Sequence, residues 1–108
     1  MRKPSRVVFI SDDLEESFNS LPEDDFVKKG IIRAIQDLKE NAFMGIQIPK
    51  RLIPKDYIRK YEINNLWKYD LPKAWRLLYT VTSENEIELI SAILEWFNHK
   101  DYERKFKY

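Results

Sequence analysis

The 108-residue sequence predicts an α+β fold. It reads as a small, mainly antiparallel sheet with an N-terminal helical hairpin packed on one face, in the order β-α-α-β-β-β, with room for a short C-terminal helix. Three observations predict it. β-branched and aromatic residues cluster near the N-terminus and again after Leu66. Apolar residues keep helical spacing between Leu14 and Leu38. No repeat, low-complexity tract or linker interrupts the chain, so residues 1–108 read as a single domain.

The elements follow in order. Arg6 to Ile10 is a short strand. Ser11 is an N-cap, and Asp12, Asp13, Glu15 and Glu16 suit the positive end of the helix dipole that follows. Leu14, Phe18 and Leu21 then mark one helical face. Ser20 and Glu23 have capping-box spacing around Pro22 and signal a second helix start. Val27, Ile31, Ala34, Ile35 and Leu38 carry that helix to about Glu40, and Gly30 inside it implies a close packing contact. Gly45 to Ile63, punctuated by Pro49 and Pro54, reads as loop with one short strand or turn. Leu66 to Leu71 and Ala74 to Thr82 are strands joined by a turn at Pro72-Lys73. A turn at Ser83-Glu84-Asn85 leads to a strand from Ile87 to Trp96, apolar enough to be central and buried on both faces. His99 to Phe106 is the candidate terminal helix. This order covers one face of the sheet and leaves the other free for function.

Composition excludes several classes. There is no cysteine, so disulfides, thiolate metal sites and cysteine nucleophiles are absent. One histidine argues against a multi-histidine metal site, and two glycines exclude a Gly-rich phosphate loop. No apolar run reaches the roughly 18 residues of a membrane span, and Val7 to Ile10 is too short for a signal-peptide core. The expectation is a soluble, cytoplasmic domain with no cofactor, no metal and no membrane partner.

Net charge is only +1, but it is unevenly spread. Ser11 to Asp25 holds seven acids and no base, whereas Gly45 to Arg76 holds eight bases and three acids. Tyr57, Tyr61, Trp67, Tyr69, Trp75 and Tyr79 interleave with those bases. A basic surface with aromatic platforms suits a phosphate backbone and unstacked bases. Lys50, Arg51, Lys60, Lys73 and Lys100 are the candidate RNA contacts. The plain alternative is a solvated charged face over a core in which the tryptophans are packed.

Strand alternation puts Trp75, Leu77, Tyr79 and Val81 on one face and Arg76, Leu78 and Thr80 on the other. With a three-residue loop from Leu71 to Lys73, Asp70 would face Ala74 and Lys68 would face Arg76. Two cations placed opposite each other repel, and an anionic ligand between them would explain the pairing. Pairing of Arg76 with Asp70 or Glu95 is the alternative. Histidine is the one side chain type whose unperturbed pKa lies near neutrality, which singles out His99, and Tyr102 lies three residues on, on the same face if that segment is helical. A histidine, a tyrosine and two cations suffice for metal-free RNA cleavage. One group takes the 2′-OH proton and another protonates the leaving 5′-oxygen. Arg76 and Lys68 hold the charge on the pentavalent phosphate. Which of His99 and Tyr102 is acid and which base stays open, and either could serve only in capping or packing.

The run Asn65-Leu66-Trp67-Lys68-Tyr69-Asp70-Leu71-Pro72-Lys73-Ala74-Trp75-Arg76-Leu77-Leu78-Tyr79 resembles the second and third strands of the RelE/ParE superfamily of toxin–antitoxin toxins. Ile93-Leu94-Glu95-Trp96 followed by His99-Lys100-Asp101-Tyr102 is similar to the ending of RelE- and HigB-like members. The resemblance implies a ribosome-dependent, metal-free mRNA endonuclease that inhibits translation. Its implied partners are a cognate antitoxin, the ribosome and mRNA, and a toxin–antitoxin heterotetramer is one possible assembly. It matches Arg76 to the arginine on the scissile phosphate, Lys68 to a basic strand residue, and His99 and Tyr102 to the terminal acid/base positions. Asp70 departs from the pattern, standing where RelE has another lysine. ParE-like inhibition of DNA gyrase and a non-catalytic binding module of the same fold are the alternatives.

Overall fold

A computed structural model describes residues 2–83, 85 and 88–106. The chain runs β1 (Ser5–Phe9), α1 (Asp12–Asn19), α2 (Phe26–Glu40), β2 (Ile46–Gln47), α3 (Lys55–Tyr61), β3 (Trp67–Asp70), β4 (Arg76–Ser83), β5 (Leu89–Phe97) and α4 (His99–Phe106). The five strands form one sheet in the order β1-β5-β4-β3-β2. Only β1 with β5 is parallel; the other neighbours are antiparallel. The α+β class is as expected, and β5 is an interior strand buried on both faces, although β4 holds the middle place. The expected turn at Ser83-Glu84-Asn85 and the strand start at Ile87 fall partly outside the described residues.

Local chemistry sets the helix ends. Ser11 caps α1, its Oγ accepting the Leu14 N–H at 3.1 Å. The second start signal is corrected: α2 begins at Phe26, and Asp25 is its cap, accepting the Val27 N–H at 2.7 Å. Ser20 instead ends α1 as its C-cap, in helical conformation and with its N–H on Glu16 O at 3.0 Å, whereas an N-cap needs an extended backbone. Glu23 is spent elsewhere, pairing with the buried Lys28 at 2.7 Å. Lys28 also donates to Leu21 O at 3.1 Å, which ties the link between the helices to α2.

One core lies between α2 and the sheet. Ile31, Ala34 and Leu38 pack on Leu77, Tyr79 and Ile93, with Trp67, Trp75 and Trp96 around them as packing residues. Ser5 Oγ joins three elements, meeting Leu38 O at 2.7 Å and Ser91 Oγ at 2.8 Å. Gly30 does mark a close approach: a Cβ there would lie 2.8 Å from Pro72 Cδ.

The other face of the sheet is not free. A second core of Leu66, Leu78, Leu94 and Phe97 is roofed by Ile48, Ile53, Tyr57 of α3 and Tyr102 of α4. The helix α3 lies in the stretch expected to be loop. Pro54 precedes it at the cap, where a missing N–H costs nothing, so it starts the helix instead of breaking it. Only Tyr57 of α3 is fully buried, too little apolar signal to show a period in sequence.

The hairpin register is also corrected. Asp70 faces Arg76 and Lys68 faces Leu78. The connection contains Leu71 to Trp75, two residues more than the expected loop. A 3-10 turn with Lys73 and Ala74 at positive φ (57° and 63°) absorbs them.

Two substitutions test this packing. Gly30→Ala gains about 1 kcal/mol of helix propensity but must displace a proline ring, an overpacking cost of about 1–3 kcal/mol. Net destabilisation is expected in urea titration, and a more stable variant would refute the contact. Tyr79→Phe strands two backbone groups, since its hydroxyl donates to Ala42 O at 2.9 Å and accepts from Gly45 N at 3.0 Å. A loss of about 1–3 kcal/mol is expected; a loss below the error of the titration would mean that water replaces the phenol.

Candidate functional site

On the face covered by α3 and α4, two cross-strand rows stand side by side. Asp70, Arg76 and Phe97 form one, and Lys68, Leu78 and Glu95 the next. Lys68 and Arg76 are therefore diagonal neighbours, not direct opposites. α4 lays Tyr102 over them. Its ring centroid lies 5.4 Å from Lys68 Nζ and 5.5 Å from the Arg76 guanidinium carbon, with Phe97 edge-on at 5.9 Å and Phe106 at 4.6 Å. Each cation–π contact contributes about 0.5–2 kcal/mol. Tyr102 is 2% exposed.

Arg76 takes the partner that alternation left open. Its Nε is buried 3.1 Å from Asp70 Oδ1, and the contact is an ion pair rather than an aligned hydrogen bond. Nη1 donates to Trp75 O at 3.2 Å. His99 opens α4 on its outer side and pairs with Glu103 one turn later, both side chains about half exposed. The helix starts there because Asn98 caps it, its Oδ1 accepting the Asp101 N–H at 2.8 Å. So the structure brings Lys68, Arg76 and Tyr102 together under α4, while His99 of the same helix faces outward.

The expected RNA contacts are exposed but divided. Lys50 and Arg51 lie on a 3-10 turn after β2, Lys60 on α3 and Lys100 on α4. Lys73 lies apart, 4.4 Å over the Phe26 ring of α2. Among the described residues no group of three or more His, Asp or Glu side chains could hold a metal ion, and no helix is long and apolar enough to cross a membrane.

Two features next to the site were not anticipated. Tyr57 of α3 donates to Glu95, a carboxylate within the apolar run of β5. An acid in such a run is the sequence signal that could have revealed a buried partner. Lys105 of α4 bonds Asp56 of α3 at 2.8 Å and lies 4.6 Å over the Tyr57 ring, so the two covering helices are clamped together. The hydrogen bond from Lys105 holds the Asp56 carboxyl below its usual range. An open cleft of about 610 Å³ lies between α1 and α3, with Ser11, Asp13, Lys60 and Glu95 in its walls. It does not include Lys68, Arg76 or Tyr102.

Comparison with protein-family models, curated proteins and solved structures found no match to this chain.

The tyrosines make stability sensitive to alkali. Burial, then the hydrogen bond to Asp37, pushes the Tyr69 phenol up to about 12. Burial pushes Tyr79 up to about 12 as well, against a lowering contribution from the Gly45 N–H. Burial and the Glu95 hydrogen bond raise Tyr57 too. A phenol raised above its unfolded value of about 10 stabilises the fold fully below that pH, and the contribution is lost as pH climbs through the folded value. Urea midpoints should therefore fall as pH rises from about 10 to 12. The fall should be shallower in Tyr69→Phe; equal slopes would mean that Tyr69 does not contribute.

Proposed function

We propose that this chain is a toxin of the RelE/HigB-like kind, acting as a metal-free, ribosome-dependent mRNA endonuclease that blocks translation and is neutralised by a cognate antitoxin. One observation carries the reading. Two cations from neighbouring strands bracket the Tyr102 ring at 5.4 and 5.5 Å, and the single histidine lies one turn earlier on the same helix. Arg76 is the phosphate ligand, its planar fork exchanging the Asp70 carboxylate for phosphodiester oxygens. Lys68 adds charge to the pentavalent phosphate. His99 and Tyr102 share the proton transfers, one accepting from the 2′-OH and the other donating to the 5′-oxygen. RNA supplies its own nucleophile, so the products end in a 2′,3′-cyclic phosphate and a 5′-hydroxyl. Lys60 and Lys100, exposed on the two covering helices, add contacts to the RNA backbone.

A second reading has its own support. Tyr102 is buried and Arg76 is already ion-paired, as expected of a non-catalytic module that keeps the fold and binds an antitoxin.

Mapping transcript ends after induction, and in extracts with and without ribosomes, decides between them. Cleavage should require ribosomes, survive EDTA and leave cyclic phosphate ends. Arg76→Ala should slow it by about 100-fold or more, and Tyr102→Phe should slow it while keeping the melting temperature. Wild-type cutting by both variants would remove the proposed roles. Harmless expression without cleavage selects the binding module, and intact transcripts with inhibited supercoiling select a gyrase inhibitor.

A further inference from the structure

Among the described residues, Arg76 Nε is the one buried side-chain nitrogen or oxygen without an aligned hydrogen bond. Unsatisfied buried donors are rare in native folds and costly to keep, so an oxygen that met this one squarely would gain what the fold forgoes. Asp70 stands 3.1 Å away but off the N–H direction, its side chain 57% exposed against 17% for Arg76. The hairpin fixes it there. Asp70 and Arg76 are the last cross-strand pair of β3 and β4, and the Leu71 N–H bonds Trp75 O at 2.8 Å just beyond them. Trp75 O also accepts Arg76 Nη1 at 3.2 Å. The turn thus anchors the guanidinium at one nitrogen while an acid faces another. Lys68 has no acid of its own among the described residues, and Tyr102 offers both cations its ring. Lys68 and Arg76 together would present two positive charges to an anion, and Asp70 cancels one of them.

We propose that Asp70 is a specificity-determining residue: its carboxylate occupies the phosphate's place on Arg76, so the site rejects a free RNA strand and takes a phosphodiester only from a strand that other contacts already hold. The inference rests on the nuclease reading for the identity of the competing anion. A phosphodiester must displace the carboxylate and withstand its repulsion. A half-exposed, misaligned ion pair is weak enough to be displaced. A strand already bound elsewhere, as on a ribosome, presents its phosphate at high effective concentration and wins the exchange. A free strand has only this contact to drive it. After the exchange, the Arg76 fork meets phosphate oxygens in the bidentate geometry that Asp70 does not reach.

The test uses the full chain and a short single-stranded RNA whose 2′-hydroxyls are methylated, so that it binds without being cut. Affinity is read by fluorescence anisotropy without ribosomes. Asp70→Asn should bind this RNA about tenfold or more tighter than wild type, and Asp70→Glu, which keeps the acid, should stay near wild type. The gain should vanish when Arg76→Ala is added. Glu40→Gln, the same charge change at the exposed end of α2, should show no gain. Should Asp70→Asn fail to fold, Asp70→Ser is read in the same assay. Equal affinities of wild type and the uncharged variant overturn the proposal. So does a gain that survives Arg76→Ala, or an equal gain in Glu40→Gln, which would reduce the effect to net charge. A lower melting temperature without tighter binding would make Asp70 a hairpin staple only. The unmethylated strand is incubated in parallel, and Asp70→Asn should cut it where wild type does not. Tighter binding with no cutting by any variant, with or without ribosomes, removes the nuclease reading and leaves the role of Asp70 standing. Cutting on ribosomes with unchanged affinity does the reverse.

Discussion

The packing of Tyr102 between Lys68 and Arg76 closes the second face of the sheet. Without that ring, α4 would rest on Phe106 and on the Lys105–Asp56 bond. Its burial also explains how two cations are tolerated there. Asp70 balances the guanidinium from one side, and the aromatic face offers both cations a region of negative potential. The same contact that completes the fold therefore positions the groups on which the functional proposal rests. The proposed chemistry and the stability of the fold meet on one side chain.

Much of the first core was legible in sequence, since it follows from simple periods. Ile31, Ala34 and Leu38 repeat at three and four, and Leu77, Tyr79 and Val81 repeat at two; these groups pack on each other. The second core was not legible, for a physical reason. Its roof comes from single residues on short elements, Ile48, Ile53, Tyr57 and Tyr102. One buried residue per turn or two defines no period. Of the two prolines that seemed to interrupt this stretch, Pro54 sets where α3 begins and Pro49 leads into a 3-10 turn.

The candidate site was legible in identity but not in arrangement. Alternation placed Arg76 on the face away from α2, and that side is where Tyr102 meets it. The pairing of Arg76 with Asp70 was open in sequence because it depends on the length of the Leu71–Trp75 connection. Two residues at positive φ, Lys73 and Ala74, are neither glycine nor asparagine, so nothing local announced a longer turn. His99 and Tyr102 were expected on one helical face. The structure buries the tyrosine, while the histidine finds an acid one turn along the outer side.

The parallel pairing of β1 with β5 joins the first strand to the last: Ser5 aligns with Leu89, Val7 with Ser91 and Phe9 with Ile93. β1 must therefore wait for the much later β5 before it finds its place in the sheet. Until then the nascent chain can assemble α1, α2 and the β3–β4 hairpin from near neighbours, but not the complete sheet. Completion of the sheet is thus gated by the synthesis of β5, and a product truncated before it would leave the β1 strand without its sheet neighbour.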